Sequence, residues 1–213
     1  MMQPVYFRPL SAVLLVCVLA FSGCLGSPAK TPATRYYILN STYSAKNKPQ
    51  PVAVLNDAVV GIGPIKLSRV LDRPQIVTRT GKNEIRVVDL VRWAGPLHEI
   101  VANVMVDNLT ALLPGTEILK FPWPVTIPVT YQVAMDITRF DGMPGGDVTL
   151  RSRWGILGEG GKKILANKQT ALNEPIGGNT IGEMVNAQSR LLEKLCYEIA
   201  VEIKGLEEKR TRQ

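Results

Sequence analysis

VTYQVAMDITRF, residues Val129 to Phe140, alternates apolar and polar side chains almost without a break. Val129, Tyr131, Val133, Met135 and Ile137 fall on one face, and Thr130, Gln132, Asp136 and Thr138 mostly on the other. A period of two belongs to a β-strand with one face buried and one face in water. Asp147 to Leu157 repeats the pattern, with Val148, Leu150, Trp154 and Ile156 inward, and Lys162 to Leu172 supplies a third strand. The turn-rich Asp141-Gly142-Met143-Pro144-Gly145-Gly146 joins the first two. These segments describe an antiparallel meander with one buried face.

That face needs a cover, and two helices are positioned to supply it. After Gly95-Pro96, residues Leu97, Ile100, Val101, Val104, Met105, Leu109, Leu112 and Leu113 recur at spacings of three and four. This is an apolar stripe of period 3.6, with His98, Asn103, Asp107 and Thr110 opposite it. Pro114-Gly115 stops the helix. A second helix starts at Thr180, with Glu183 three residues on as its capping-box partner. Its stripe runs from Ile181 and Met184 through Leu191, Leu195 and Ile199 to Ile203. Gly205 suits a C-terminal cap, which leaves residues 207–213 as a frayed charged tail.

Upstream, Arg35 to Leu39, a segment ending near Ile65, Ile76 to Arg79 and Glu84 to Trp93 read as further strands. The expected fold is α+β: a mixed, largely antiparallel sheet carrying two long amphipathic helices, with a three-layer arrangement also open. Residues 35–206 would form one domain.

Residues 1–23 read as a leader. Arg8 precedes an apolar run, Leu10 to Phe21, which closes on Phe21-Ser22-Gly23-Cys24. The run is shorter than the roughly 20 residues that a bilayer span needs, and its flanks are those of a signal peptide. Small residues directly before a cysteine follow the lipoprotein pattern. Cleavage there would leave Cys24 to carry diacylglycerol on sulfur and a further acyl chain, such as palmitate, on its amine. Residues 24–34, with Pro28 and Pro32, would form a tether. Fully extended, it reaches about 36 Å at about 3.3 Å per residue.

The chain carries a net charge of +7, and loss of Arg8 leaves +6. Basic surfaces attract acidic partners, anionic headgroups or nucleic acid, and export argues against the last. Of the three cysteines, Cys17 leaves with the signal and Cys24 would be acylated. Cys196 remains as a lone thiol on an apolar helix face. The sequence offers no motif for catalysis, cofactor or metal. The single histidine, His98, has no partner at a ligand spacing. No serine stands in a Gly-x-Ser-x-Gly elbow. Gly158-Glu159-Gly160-Gly161-Lys162-Lys163 lacks the spacing of a phosphate loop and reads as a turn.

Several segments share an order and spacing with a known family. These are Tyr36-Tyr37-Ile38-Leu39, Gly61-Ile62-Gly63-Pro64-Ile65, Leu71-Asp72-Arg73-Pro74-Gln75-Ile76-Val77-Thr78-Arg79 and Arg92-Trp93-Ala94-Gly95-Pro96-Leu97. Asn108-Leu109 and Arg139-Phe140-Asp141 complete the set. The chain resembles the PqiC/YmbA family, the ABC-type transport auxiliary lipoproteins of Gram-negative bacteria. The resemblance implies a periplasmic domain anchored in the inner leaflet of the outer membrane. It implies work beside an MCE-type protein of the same lipid-transport system, in support of membrane integrity. Leu25 after the lipidated cysteine fits outer-membrane sorting.

The expected role is therefore a non-catalytic docking or scaffold subunit, with Cys24 as anchor. Arg73, Arg79, Arg92 and Trp93 are the expected partner surface, since Arg and Trp are favoured at interface cores. An alternative is a carrier module that encloses a phospholipid acyl chain between meander and helices. A third reading, a periplasmic hydrolase, would need two carboxylates converging in a cleft. The lipoprotein pattern predicts that labelled palmitate enters the protein and that Cys24→Ala abolishes the label. A free thiol at Cys24 in the mature protein would contradict it.

Overall fold

The computed structural model describes residues 32–44, 47–55 and 57–212. Cys24, the leader and most of the expected tether lie outside them. The elements run β1 (Arg35–Tyr37), β2 (Val59–Leu67), β3 (Gln75–Arg79), β4 (Ile85–Trp93), α1 (Leu97–Leu112), β5 (Glu117–Lys120), β6 (Tyr131–Gly142), β7 (Asp147–Gly158), β8 (Lys163–Pro175) and α2 (Ile181–Arg210). The fold is α+β. Its strands form two mixed sheets, a five-stranded one in the order β5-β2-β6-β7-β8 and a three-stranded one in the order β1-β4-β3.

The meander β6-β7-β8 is antiparallel, whereas β2 lies parallel to both β5 and β6. The alternation in the sequence reflects burial on one face. Tyr131, Val133, Met135, Ile137, Val148, Leu150, Trp154 and Ile156 are all buried. Against that face lie the helices, α1 over β2 and β5 and α2 over β6, β7 and β8, in contact with each other. All eight apolar residues of the first stripe, Leu113 included, are buried. Each large side chain so covered contributes about 1.5–3 kcal/mol before its ordering entropy is subtracted.

Two features were not expected. β5 was missed, because four residues are too few to show a period. The second helix does not stop at Gly205 but continues to Arg210, so the tail is helical rather than frayed. The cause is a tertiary hydrogen bond. The Tyr131 hydroxyl donates to Glu207 Oε2 at 2.7 Å, and Arg210 pairs with the same carboxylate at 2.7 Å. Hydrogen bonds from Arg210, aided by Tyr131, hold the Glu207 carboxyl below the usual carboxylate range despite the cost of burial. Burial first, and the carboxylate second, push the Tyr131 hydroxyl up to about 12.

A slip in register between Ile137 and Arg139 changes the parity of β6. Phe140 then turns inward, 1% exposed, and Asp141 takes the opposite face. There Asp141 meets Arg79 of β3 at 2.6 Å and Arg139 at 3.0 Å. Its side chain is 3% exposed. This ion triad ties the small sheet to the large one.

The connection from β5 to β6 has to pass β2, which lies between them. It crosses the face that the helices leave open. Trp123 lies there directly on β2, where a Cβ at Gly61 would stand 2.7 Å from the indole ring. Glycine at 61 is thus a condition of the crossing.

α2 is joined to β8 through Glu174, whose carboxylate takes Arg190 Nε at 2.5 Å and Lys194 Nζ at 2.6 Å. Burial alone would raise the Glu174 pKa, but the hydrogen bonds and charges of Lys194 and Arg190 together bring it below its ordinary 4.5. A carboxyl lowered on folding stabilises above its unfolded value and loses that contribution as pH falls through the folded one. Glu174→Gln is expected to lower stability at neutral pH by roughly 1–3 kcal/mol. In urea titrations the gap to wild type should begin to narrow below about pH 4, near the unfolded carboxylate value, and close only as pH falls through the lower folded one. A gap that persists in acid would show that charge is not its source.

Candidate functional site

The four residues expected at a partner surface occupy three different environments. Trp93 is 5% exposed and packs in the core with Leu39, Val91 and Leu97. Its indole therefore gives nothing to an outer surface, and the expectation is corrected to the arginines alone. The cause is strand parity: Val91 and Trp93 point inward and Arg92 between them points out.

Arg79 is half-buried and committed to Asp141, so it holds the two sheets together. Its Nη1 also donates to the Lys82 carbonyl at 3.3 Å. Arg73 and Arg92 differ from it. Each buries its Nε, and neither Nε finds an acceptor among the described residues. The backbone sets the two side by side. Trp93 N donates to Pro74 O at 2.8 Å, and Arg92 pairs in register with Gln75 on one flank and Tyr36 on the other. Tyr36 is 64% exposed. A buried guanidinium N–H without a partner costs about 1–3 kcal/mol. A carboxylate or phosphate could meet such a side chain only at the outer nitrogens of its guanidinium fork, which match either one in a bidentate way.

The helix pair carries a second feature, absent from the sequence expectations. The segment after β1 runs along α1 and α2, bonded to both. Ser41 Oγ donates to Asn108 Oδ1 at 2.6 Å, and Asn40 N donates to Ser189 Oγ at 3.3 Å. Thr42 donates to the Glu193 carboxylate, and Val52 N donates to Leu112 O at 2.8 Å. A surface cleft of about 520 Å³ opens beside this segment, lined by Tyr43, Pro49, Pro51, Asp107 and Ala111. Another, of about 470 Å³, lies between β2 and the start of α1, lined by Pro64, Ile65, His98, Lys120 and Phe121.

Glu99 also lines the second cleft, so His98, Glu99 and Lys120 are its titratable groups. His98 is exposed in the first turn of α1. Cys196 is fully buried, and burial pushes its thiol up to about 12, far from a reactive thiolate. Among the described residues, no three His, Cys, Asp or Glu side chains gather as a metal site would require.

Comparison with known proteins decides the family. A model described as "ABC-type transport auxiliary lipoprotein component" matches residues 37–200. The chain belongs to that family. As a member of the auxiliary lipoprotein family, it shares its fold with two crystal structures. One is a Xanthomonas campestris protein of family DUF330, 16% identical, covering 83% of this chain and 99% of its own, with a TM-score of 0.67. The other is an uncharacterised protein, 20% identical, covering 81% of this chain and 99% of its own, with a TM-score of 0.66. No curated protein matches the sequence. The family description accords with an accessory part in transport and with a lipoprotein's attachment to a membrane.

Proposed function

We propose that this auxiliary lipoprotein is a non-catalytic docking subunit of an MCE-type lipid-transport system. Acyl chains on Cys24 hold it in the inner leaflet of the outer membrane, and its folded domain receives the distal end of the transport conduit in the periplasm. One acyl chain binds only marginally, at about 0.8 kcal/mol per buried methylene, whereas two or more hold stably. The observation that carries the docking role is the pair Arg73 and Arg92, partly exposed near Tyr36 and in no ion pair among the described residues. Such a surface suits an acidic partner.

The carrier alternative needs room for an acyl chain between the sheet and the helices. That interval holds Met105, Leu109, Leu112, Ile137, Leu150 and Met184, each under 2% exposed. The packing favours docking over enclosure, since a close-packed interior admits no chain without reorganisation. A hydrolase would need two facing carboxylates in a cleft. The most buried aspartate, Asp141, is instead neutralised by two arginines.

Charge reversal tests the reading. The native lipidated protein, extracted in mild detergent, is expected to copurify with an MCE-type protein. Arg73→Glu with Arg92→Glu should cut recovery of the partner at least tenfold while the melting temperature stays within a few degrees of wild type. The milder Arg73→Gln with Arg92→Gln guards against misfolding. Full recovery of the partner by either folded variant would exclude this surface as the interface.

A further inference from the structure

The crossing from β5 to β6 does more than connect strands. Residues 121–130, FPWPVTIPVT, contain no charged side chain. Phe121 is 48% exposed and Val125 100% exposed, so the loop presents apolar groups to solvent. It is held firmly while doing so. Trp123 lies on Gly61, Phe121 meets the indole edge-on at 5.5 Å, and the loop ends are bonded to β2 by Phe121 N to Ile62 O at 2.9 Å and Thr130 N to Val59 O at 2.9 Å.

A second apolar point stands beside it on another element. Gly61 pairs in register with Gln132, and Gln132 donates to Gly63 O at 2.9 Å. The oxygen of the same amide borders Gly161, in the turn between β7 and β8. That turn ends at exposed Lys162 and leads into β8, whose first two residues are exposed Lys163 and Ile164, the latter 69% exposed. Lys120 precedes the loop and is exposed as well. The open end of the large sheet thus shows Phe121, Val125 and Ile164 beside three exposed lysines: Lys120, which donates to Asn103 Oδ1 at 2.8 Å, Lys163, which pairs with exposed Glu159 at 3.3 Å, and Lys162.

We propose that this end of the sheet, with the 121–128 loop at its tip, inserts shallowly into an anionic phospholipid surface. The inference rests on the reading of Cys24 as a membrane anchor, which would keep a bilayer within reach. The uncharged apolar tip beside exposed lysines favours an anionic lipid surface over protein as the occupant. Apolar surroundings penalise unpaired N–H groups. Pro122, Pro124 and Pro128 have none. Those of Phe121, Ile127 and Thr130 are bonded within the chain, Ile127 to Pro124 O at 3.0 Å, whereas those of Trp123, Val125, Thr126 and Val129 have no acceptor among the described residues, so entry is confined to headgroup depth, where water still reaches them. Lysines around an apolar tip meet anionic headgroups as the tip enters the interface, with aromatic side chains at headgroup depth.

The mature lipidated protein carrying Val125→Cys, labelled with an environment-sensitive NBD dye, tests this. Cys196 is buried and Cys24 would be acylated, so the label goes to position 125. The protein is mixed with vesicles of equal parts phosphatidylcholine and phosphatidylglycerol, and flotation is scored together with emission. Floating protein whose NBD emission rises severalfold and shifts to the blue is expected. The same dye at Thr110→Cys, on the solvent face of α1, should stay aqueous. Flotation with an aqueous signal at 125 would overturn the insertion and leave the anchor standing. Failure to float would overturn the anchor, and the insertion with it. A shift that appears without vesicles would assign the loop to contact between copies and overturn the proposal.

Discussion

One-sided burial of the five-stranded sheet governs the rest of the molecule. Two helices cover one face completely, so that face can carry neither ligand nor partner. What is available for recognition lies on the other face, at the sheet edges, on the small sheet, or on the outer surface of the helices and the segment beside them. The crossing loop exists only because β5 and β6 lie parallel on either side of β2. Gly61 makes room for its tryptophan. The small sheet docks through Asp141, which faces Arg79 only because β6 slips register after Ile137.

This division of labour suits an accessory subunit. A filled core gives a rigid support, since close packing leaves no slack between helix and sheet. In the proposed reading, recognition would fall to separate elements: Arg73 and Arg92 at the small sheet, and the apolar tip at the end of the large one. The protein would then act by position rather than by turnover, which fits a family described as an auxiliary part of transport.

The helices and the meander were legible from the sequence because their periods are local. Eight residues from Leu97 to Leu113 predicted the buried face of α1, and Tyr131 to Ile137 that of β6. What escaped depends on contacts remote in sequence. The Arg79–Asp141 pair spans 62 positions, and no motif announces it. The end of α2 was misplaced because Gly205 is a good local stop signal that a Tyr131–Glu207 bond overrides. Trp93 suited either an interface or the core from its sequence position, and strand parity with Arg92, which allows only one of them outward, decides for the core. The loop at 121–128 left a usable signal, an uncharged run of aromatic and proline residues, yet its exposure follows from strand order, which periodicity does not encode.

Whether the small sheet faces a transport partner in the living envelope can be read by photo-crosslinking. A photoreactive phenylalanine analogue in place of Tyr36, in register with Arg92 and exposed, would sample that surface with little disturbance. Docking predicts one dominant crosslink, to an MCE-type protein, that disappears when Arg73 and Arg92 are reversed in charge. Crosslinks spread over unrelated envelope proteins, or none at all from a correctly localised protein, would contradict it.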